Sequence, residues 1–91
     1  FIFMPNAFTP NGDNLNDVFR IPKGVSNRLL SFKIFNRWGQ VIFSTANINQ
    51  GWNGNLQEYQ APTGTYAYYI VMESIDGKKK LTQKGLVTLL R

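Results

Sequence analysis

The sequence contains neither cysteine nor histidine. Without cysteine the chain can form no disulfide, no thiol nucleophile and no thiolate metal site. Without histidine it lacks both the commonest general base near neutral pH and the commonest metal ligand. No nucleophile–base pair is evident among the remaining residues, so the sequence predicts a protein that is not an enzyme.

Long apolar segments are also absent. The longest apolar run extends from Tyr66 to Met72, which is the length of a strand and far below the roughly 20 residues of a membrane helix. No stretch combines helical periodicity with helix caps. The 91 residues suffice for one domain, and an apolar fraction of 43% excludes intrinsic disorder. We therefore expect a single folded domain, residues 1–91, that does not insert into a membrane.

Acidic residues are few: five Asp and Glu stand against ten Lys and Arg, which gives a net charge of +5. The basic residues are dispersed except for the run 78–80, which follows the turn signal Asp76-Gly77. A basic run at the mouth of a hairpin is typical of a solvated turn that protects a strand edge. Attraction to an acidic partner is the alternative.

Alternating apolar and polar residues fill most of the sequence and predict strands. The segment from Thr65 to Glu73 is apolar on both faces, which favours a central strand. Asp76-Gly77 predicts a two-residue hairpin. About seven strands at turn spacings of roughly 8 to 12 residues predict an all-β, antiparallel β-sandwich. We expect its core to contain Phe32, Ile34, Val41, Phe43, Tyr68, Ile70, Val87 and Leu89.

Five motifs, in order along the whole chain, resemble those of the gliding motility-associated C-terminal domain. The first is Asn6-Ala7-Phe8-Thr9-Pro10-Asn11-Gly12-Asp13 with Asn16-Asp17-Val18-Phe19, and the second is Asn36-Arg37-Trp38-Gly39-Gln40-Val41-Ile42-Phe43. Gly51-Trp52-Asn53-Gly54, Pro62-Thr63-Gly64-Thr65-Tyr66-Ala67-Tyr68 and Lys84-Gly85-Leu86-Val87-Thr88-Leu89-Leu90-Arg91 complete the set. Two residues depart from the family pattern: Asn14 stands where Gly is usual, and Asn53 where Asp is usual.

The resemblance implies an immunoglobulin-like β-sandwich at the C-terminus of large surface proteins of gliding bacteria, often adhesins. Such a domain is the type B sorting signal of the type IX secretion system, so the chain is expected to be part of a larger secreted protein. The implied partners are the translocon, its shuttle proteins and an N-terminal cargo in the same chain; no nucleic acid is expected. The implied destination is the cell surface or the medium, reached through the periplasm.

The terminal motif is the segment for which the sequence itself suggests recognition. The chain ends within a predicted strand, and such an end can be captured by β-augmentation or by a pocket that reads the terminus. Together with the resemblance, this predicts a site for translocon recognition on the central and terminal motifs. Its residues are Asn36, Arg37, Trp38, Gly39, Lys84, Gly85, Leu86, Val87, Thr88, Leu89, Leu90 and Arg91.

Oxygen-bearing side chains cluster in one loop at Asn11, Asp13, Asn16 and Asp17. Such a cluster is a candidate calcium site, although Leu15 stands where an EF-hand would need a ligand. Asx side chains also shape tight loops without any ion, by bonding their own backbone. We expect no cofactor and treat calcium, and a catalytic pair of Asp13 and Asp17, as alternatives.

Three aromatic residues near turns, Trp38, Trp52 and Tyr59, offer a second functional reading. Coplanar and exposed, they could form a platform for sugar stacking, which would make the chain a carbohydrate- or matrix-binding module of an adhesin. Aromatic rings beside turns more often fasten loops to a sandwich, which predicts that they are buried. Arg37 could stack on its neighbour Trp38 or pair with Glu58 or Glu73.

Overall fold

The computed structural model describes residues 2–10, 17–56 and 59–91. It contains seven strands: β1 (Ala7–Phe8), β2 (Leu29–Phe35), β3 (Val41–Thr45), β4 (Asn55–Leu56), β5 (Tyr59–Gln60), β6 (Gly64–Glu73) and β7 (Lys80–Leu89). Within these ranges the chain forms no helix, and no helix there could span a membrane. The prediction of an all-β domain with seven strands is confirmed.

The strands form a five-stranded sheet in the order β1-β7-β6-β2-β3, accompanied by a small β4-β5 sheet. The strand apolar on both faces, β6, lies at the centre, as its pattern predicted. All pairs are antiparallel except one: β1 runs parallel to β7, with Ala7 opposite Thr88 and Phe8 opposite Leu89. This pair departs from the purely antiparallel expectation because almost the whole chain lies between the two strands, so no hairpin fixes their direction.

One face of the large sheet packs against a second layer made mainly of loops. Phe19, Trp52 and Ala61 reach the core from that layer. Phe19 lies 5.3 Å from the Tyr68 ring and 5.9 Å from the Phe32 ring, measured between centroids. Of the core residues predicted from the sequence, the following are buried: Phe32, Ile34, Tyr68, Ile70, Val87 and Leu89. Phe43 is partly buried against the same cluster.

Val41 was predicted to lie in the core, and that prediction is wrong: its side chain is 50% exposed. The cause is a β-bulge between β2 and β3. Ile34 pairs with Phe43, but Phe35 pairs with Val41, so Ile42 is an extra residue on its strand. The bulge breaks the two-residue period, and Val41 therefore faces away from the core while Phe43 faces toward it.

The β6–β7 hairpin is longer than the two-residue turn predicted from Asp76-Gly77. The last backbone bond across it joins the Ser74 N–H to the Lys79 carbonyl at 2.8 Å, which leaves four residues in the loop. The Asp76 carboxylate accepts hydrogen bonds from the Ser74 hydroxyl and the Lys78 N–H, and these bonds lower its pKa. This Asx-type bonding favours the wider loop. The lysines at 78–80 are all exposed there.

Candidate functional site

The turn between β2 and β3 is shaped by Asn36 and Gly39. The Asn36 side-chain oxygen accepts hydrogen bonds from the N–H groups of Trp38 and Gln40, both at 3.0 Å, and its amide group donates to the Gln40 side chain at 2.8 Å. Gly39 has a φ of 79°, and its N–H donates to the Asn36 carbonyl. An Asx residue followed three positions later by a glycine with positive φ is typical of a three-residue hairpin loop.

The two residues at the tip of this turn are displayed to solvent. Trp38 is 72% exposed, so the prediction that this ring packs onto the sandwich is wrong. The turn holds the indole beyond the end of the sheet, and its contact is with the Arg37 guanidinium, whose carbon lies 4.6 Å from the ring centroid. Glu73, one of the carboxylates proposed for Arg37, instead pairs with Arg28 at 3.5 Å; Glu58 lies outside the described residues.

The terminal motif alternates between buried and displayed side chains. Val87 and Leu89 are completely buried, whereas Leu86 is 64% exposed and Leu90 is 48% exposed. Strand β7 ends at Leu89, and the Leu90 N–H still donates to the Phe8 carbonyl at 3.0 Å. β7 is an inner strand, covered at its C-terminal part by β1, so its backbone there is already paired.

Gly85 is required by a close approach between β7 and Tyr68. A Cβ at this position would lie 2.5 Å from the Tyr68 hydroxyl oxygen and 2.7 Å from its ring Cζ. Both distances are too short for non-bonded atoms, because carbon atoms repel below about 3.5 Å. The glycine of the terminal motif therefore serves the packing of the sheet.

Arg91 is exposed, but its guanidinium is bonded to the fold. Its guanidinium donates to the Gly54 carbonyl at 2.8 Å and to the Ala61 carbonyl at 3.0 Å and 3.3 Å. The Gly54 carbonyl also accepts the Ala61 N–H at 2.8 Å. The Arg91 side chain thus joins the end of β7 to one end of the small β4–β5 sheet, where Gly54 and Ala61 stand opposite each other.

The Gly51-Trp52-Asn53-Gly54 motif receives the Arg91 side chain and is itself explained by packing. Trp52 is 1% exposed, and its indole N–H donates to the Asn55 carbonyl at 2.9 Å. A Cβ at Gly51 would collide with the Val18 side chain. Gly54 has a φ of 84°, which other residues rarely adopt. The motif is a structural element that anchors Trp52 in the core.

The central and terminal motifs, far apart in sequence, lie at the same end of the molecule. Phe35, the last residue of β2, pairs with Ala67, which in turn pairs with Leu86 of β7. Burial raises the pKa of the Tyr66 phenol, and the charges of Arg91 and Arg37, near enough to act on this group, oppose that rise. We name this end the terminal end of the sandwich and define it by the turn 36–40 and residues 90–91.

The structure divides the predicted recognition residues into two groups. One group shapes or fills the fold: Asn36, Gly39, Gly85, Val87, Leu89 and Arg91. The other presents its side chains wholly or partly to solvent: Arg37, Trp38, Lys84, Leu86, Thr88 and Leu90. The second group is placed for direct contact with a partner, and Arg91, although bonded to the fold, is also exposed.

The exposed side of the large sheet is a feature that the sequence did not predict as a site. Leu86, Val41 and Tyr69 lie on this side and are 64%, 50% and 37% exposed. The signal was present in the β6 pattern, where apolar residues occupy both faces. The pattern could not show that only one of those faces is covered.

The other predicted sites have different outcomes. Asn11, Asp13 and Asn16 lie outside the described residues, so the calcium hypothesis and the Asp13–Asp17 pair stay predictions. No group of potential metal ligands occurs among the described residues. The aromatic platform is not formed as proposed, because Trp52 is buried while Trp38 and Tyr59 are each 72% exposed.

A search of curated proteins finds no match to the chain. The family model described as the CHU_C type IX secretion signal domain matches residues 2–89. This match spans nearly the whole chain, including the displayed turn and the last strand. The chain therefore belongs to the CHU_C family of type IX secretion signal domains.

Proposed function

We propose that this domain is a C-terminal address that directs a larger cargo protein to the type IX secretion system for transport across the outer membrane. The family match over residues 2–89 carries the proposal. The described residues support it in one respect, since the motifs build the β-sheet fold and display a few side chains at one end. The partners are translocon and shuttle proteins, and the destination is the cell surface or the medium.

The recognition site within this function consists of the displayed residues of the terminal end and the last strand. Arg37 and Trp38 form a stacked cation–aromatic pair at the turn. Leu86 and Leu90 add exposed apolar side chains from the last strand and its end. Aromatic and arginine side chains are the residues most often found to dominate the energy of an interface.

Export of a passenger protein tests the proposal. A folded fluorescent reporter with a Sec leader is fused in front of residues 1–91 and produced in a bacterium with an intact type IX system, together with any helper proteins that the cargo requires. We expect the reporter on the surface or in the medium, and expect the reporter without this domain to stay in the periplasm. Surface and medium fluorescence, compared with periplasmic fluorescence, provides the measurement.

Two controls make the result decisive. The same fusion in a strain that lacks the type IX translocon should retain the reporter in the periplasm. Export in that strain, or periplasmic retention of the intact fusion in the competent strain, would show that the domain is not a type IX address.

A further inference from the structure

The exposed side of the large sheet carries two adjacent rows of side chains with different chemistry. We name it the outer face and define it by these rows. The apolar row crosses four strands as Val41, Phe35, Ala67 and Leu86. The basic row beside it runs Ser44, Lys33, Tyr69 and Lys84. Directly opposed residues in antiparallel strands share a face, so each row is a line of neighbouring side chains.

Ala67 makes a groove in the apolar row. Its short side chain lies between Phe35 and Leu86, and a cavity of about 370 Å³ opens there. Tyr69 and Lys84 line the same cavity from the basic row. The floor and walls are therefore apolar, and a cation stands at the rim.

The charge of the outer face is of one sign across both rows. Lys33 and Lys84 stand two strands apart, which is about 10 Å between backbones. Glu73 lies at the far end of β6, where it pairs with Arg28 at 3.5 Å. Asp76 lies in the β6–β7 loop. Among the described residues, neither Lys33 nor Lys84 forms an ion pair.

We propose that the outer face is the docking surface for an acidic protein segment of the secretion machinery, which places one apolar side chain over Ala67 and carboxylates over Lys33 and Lys84. This inference rests on the proposed function and names the partner's chemistry. Apolar contact in the groove supplies affinity, while the matched charges select the partner and guide its approach. An exposed apolar row beside two lysines that form no ion pair within the described part of the chain is the surface that such a segment complements.

Charge reversal tests the inference in the same export assay. The variant K33E/K84E places two carboxylates in the basic row, where they repel an acidic partner, and we expect export to fall roughly tenfold or more. The matched control is K78E/K79E in the β6–β7 loop. Each Lys→Glu exchange lowers the charge by two, so both variants take the net charge from +5 to +1.

A second variant leaves the net charge unchanged and does not alter Lys33, which is half-buried and whose substitution could disturb folding. Ala67→Leu fills the groove and keeps the outer face apolar and basic, so it should reduce export severalfold without lowering the melting temperature. Ile75→Ser, at an apolar position in the loop that is 84% exposed, is its control and should export normally.

The outcomes separate the inference from the proposed function. Retention of the unmodified fusion would overturn both. Normal export of Ala67→Leu, or equal loss in K33E/K84E and K78E/K79E, would overturn the docking surface alone. Vesicles of anionic phospholipid give one more comparison with the purified chain. Binding that K33E/K84E abolishes would identify a membrane as the occupant, against our inference.

Discussion

Gly85 shows how one residue of a motif can serve packing alone. A Cβ here would meet the Tyr68 hydroxyl and ring, which are fixed in the core beside Phe19. We expect Gly85→Ala to lower the free energy of unfolding by about 1–3 kcal/mol, the usual cost of overpacking. Chemical denaturation measures this. The neighbouring exposed Lys84→Ala should change stability by less than about 0.5 kcal/mol.

Equal stability of these two variants would mean that Tyr68 can move aside, and that the glycine has another purpose.

A second prediction at the scale of the residue concerns Arg91. Its guanidinium bonds to the Gly54 and Ala61 carbonyls, so Arg91→Ala should cost about 1 kcal/mol of unfolding free energy, and Arg91→Lys less. The control is Arg37→Ala, because that guanidinium lies against an exposed ring and should contribute under about 0.5 kcal/mol. Thermal melting of the three variants gives the comparison.

If Arg91→Ala melted like Arg37→Ala, the terminal arginine would be available to a partner, as the sequence suggested.

At the scale of elements, one residue of the β2–β3 turn determines its shape and another is exposed for contact with a partner. Asn36→Ala removes the acceptor for two backbone N–H groups and should cost about 1 kcal/mol of unfolding free energy. Trp38→Ala should leave stability within about 0.5 kcal/mol, because the ring is 72% exposed. In the export assay, however, Trp38→Ala should reduce secretion, since the indole is placed for contact with a partner.

Tyr59→Ala is the control for Trp38→Ala, because this ring has the same exposed fraction but belongs to β5 and not to the β2–β3 turn. Secretion that drops equally in both variants would argue against a specific role for the turn.

The strands themselves were predictable to different degrees. β6 and β7 pair continuously from Gly64–Leu89 to Glu73–Lys80. Alternation located the buried Val87 and Leu89 of β7 correctly, whereas β6 is apolar on both faces and its pattern predicted only its central position. β3 was misjudged because the extra residue Ile42 is visible only when the strand pairs with β2. The two-residue strands β1, β4 and β5 carry too few side chains to show any period.

At the scale of the whole molecule, composition and pattern predicted an all-β domain, but they did not predict how the layers close. The parallel β1–β7 pair depends on tertiary contacts between residues 81 positions apart, which no local signal encodes. The position of the Arg37 and Arg91 motifs at one end of the sandwich likewise follows from strand order. Motif recognition named the residues of the candidate site, and only the structure showed which of them face solvent.

The apolar row on the outer face contains one residue from each of four strands, namely Phe35, Val41, Ala67 and Leu86. An unfolded chain contains all four side chains but does not hold them side by side. During synthesis the row stays incomplete until the last strand has emerged from the ribosome and joined β6. A partner that binds this row therefore binds only chains that have folded completely, and does not bind truncated or misfolded copies.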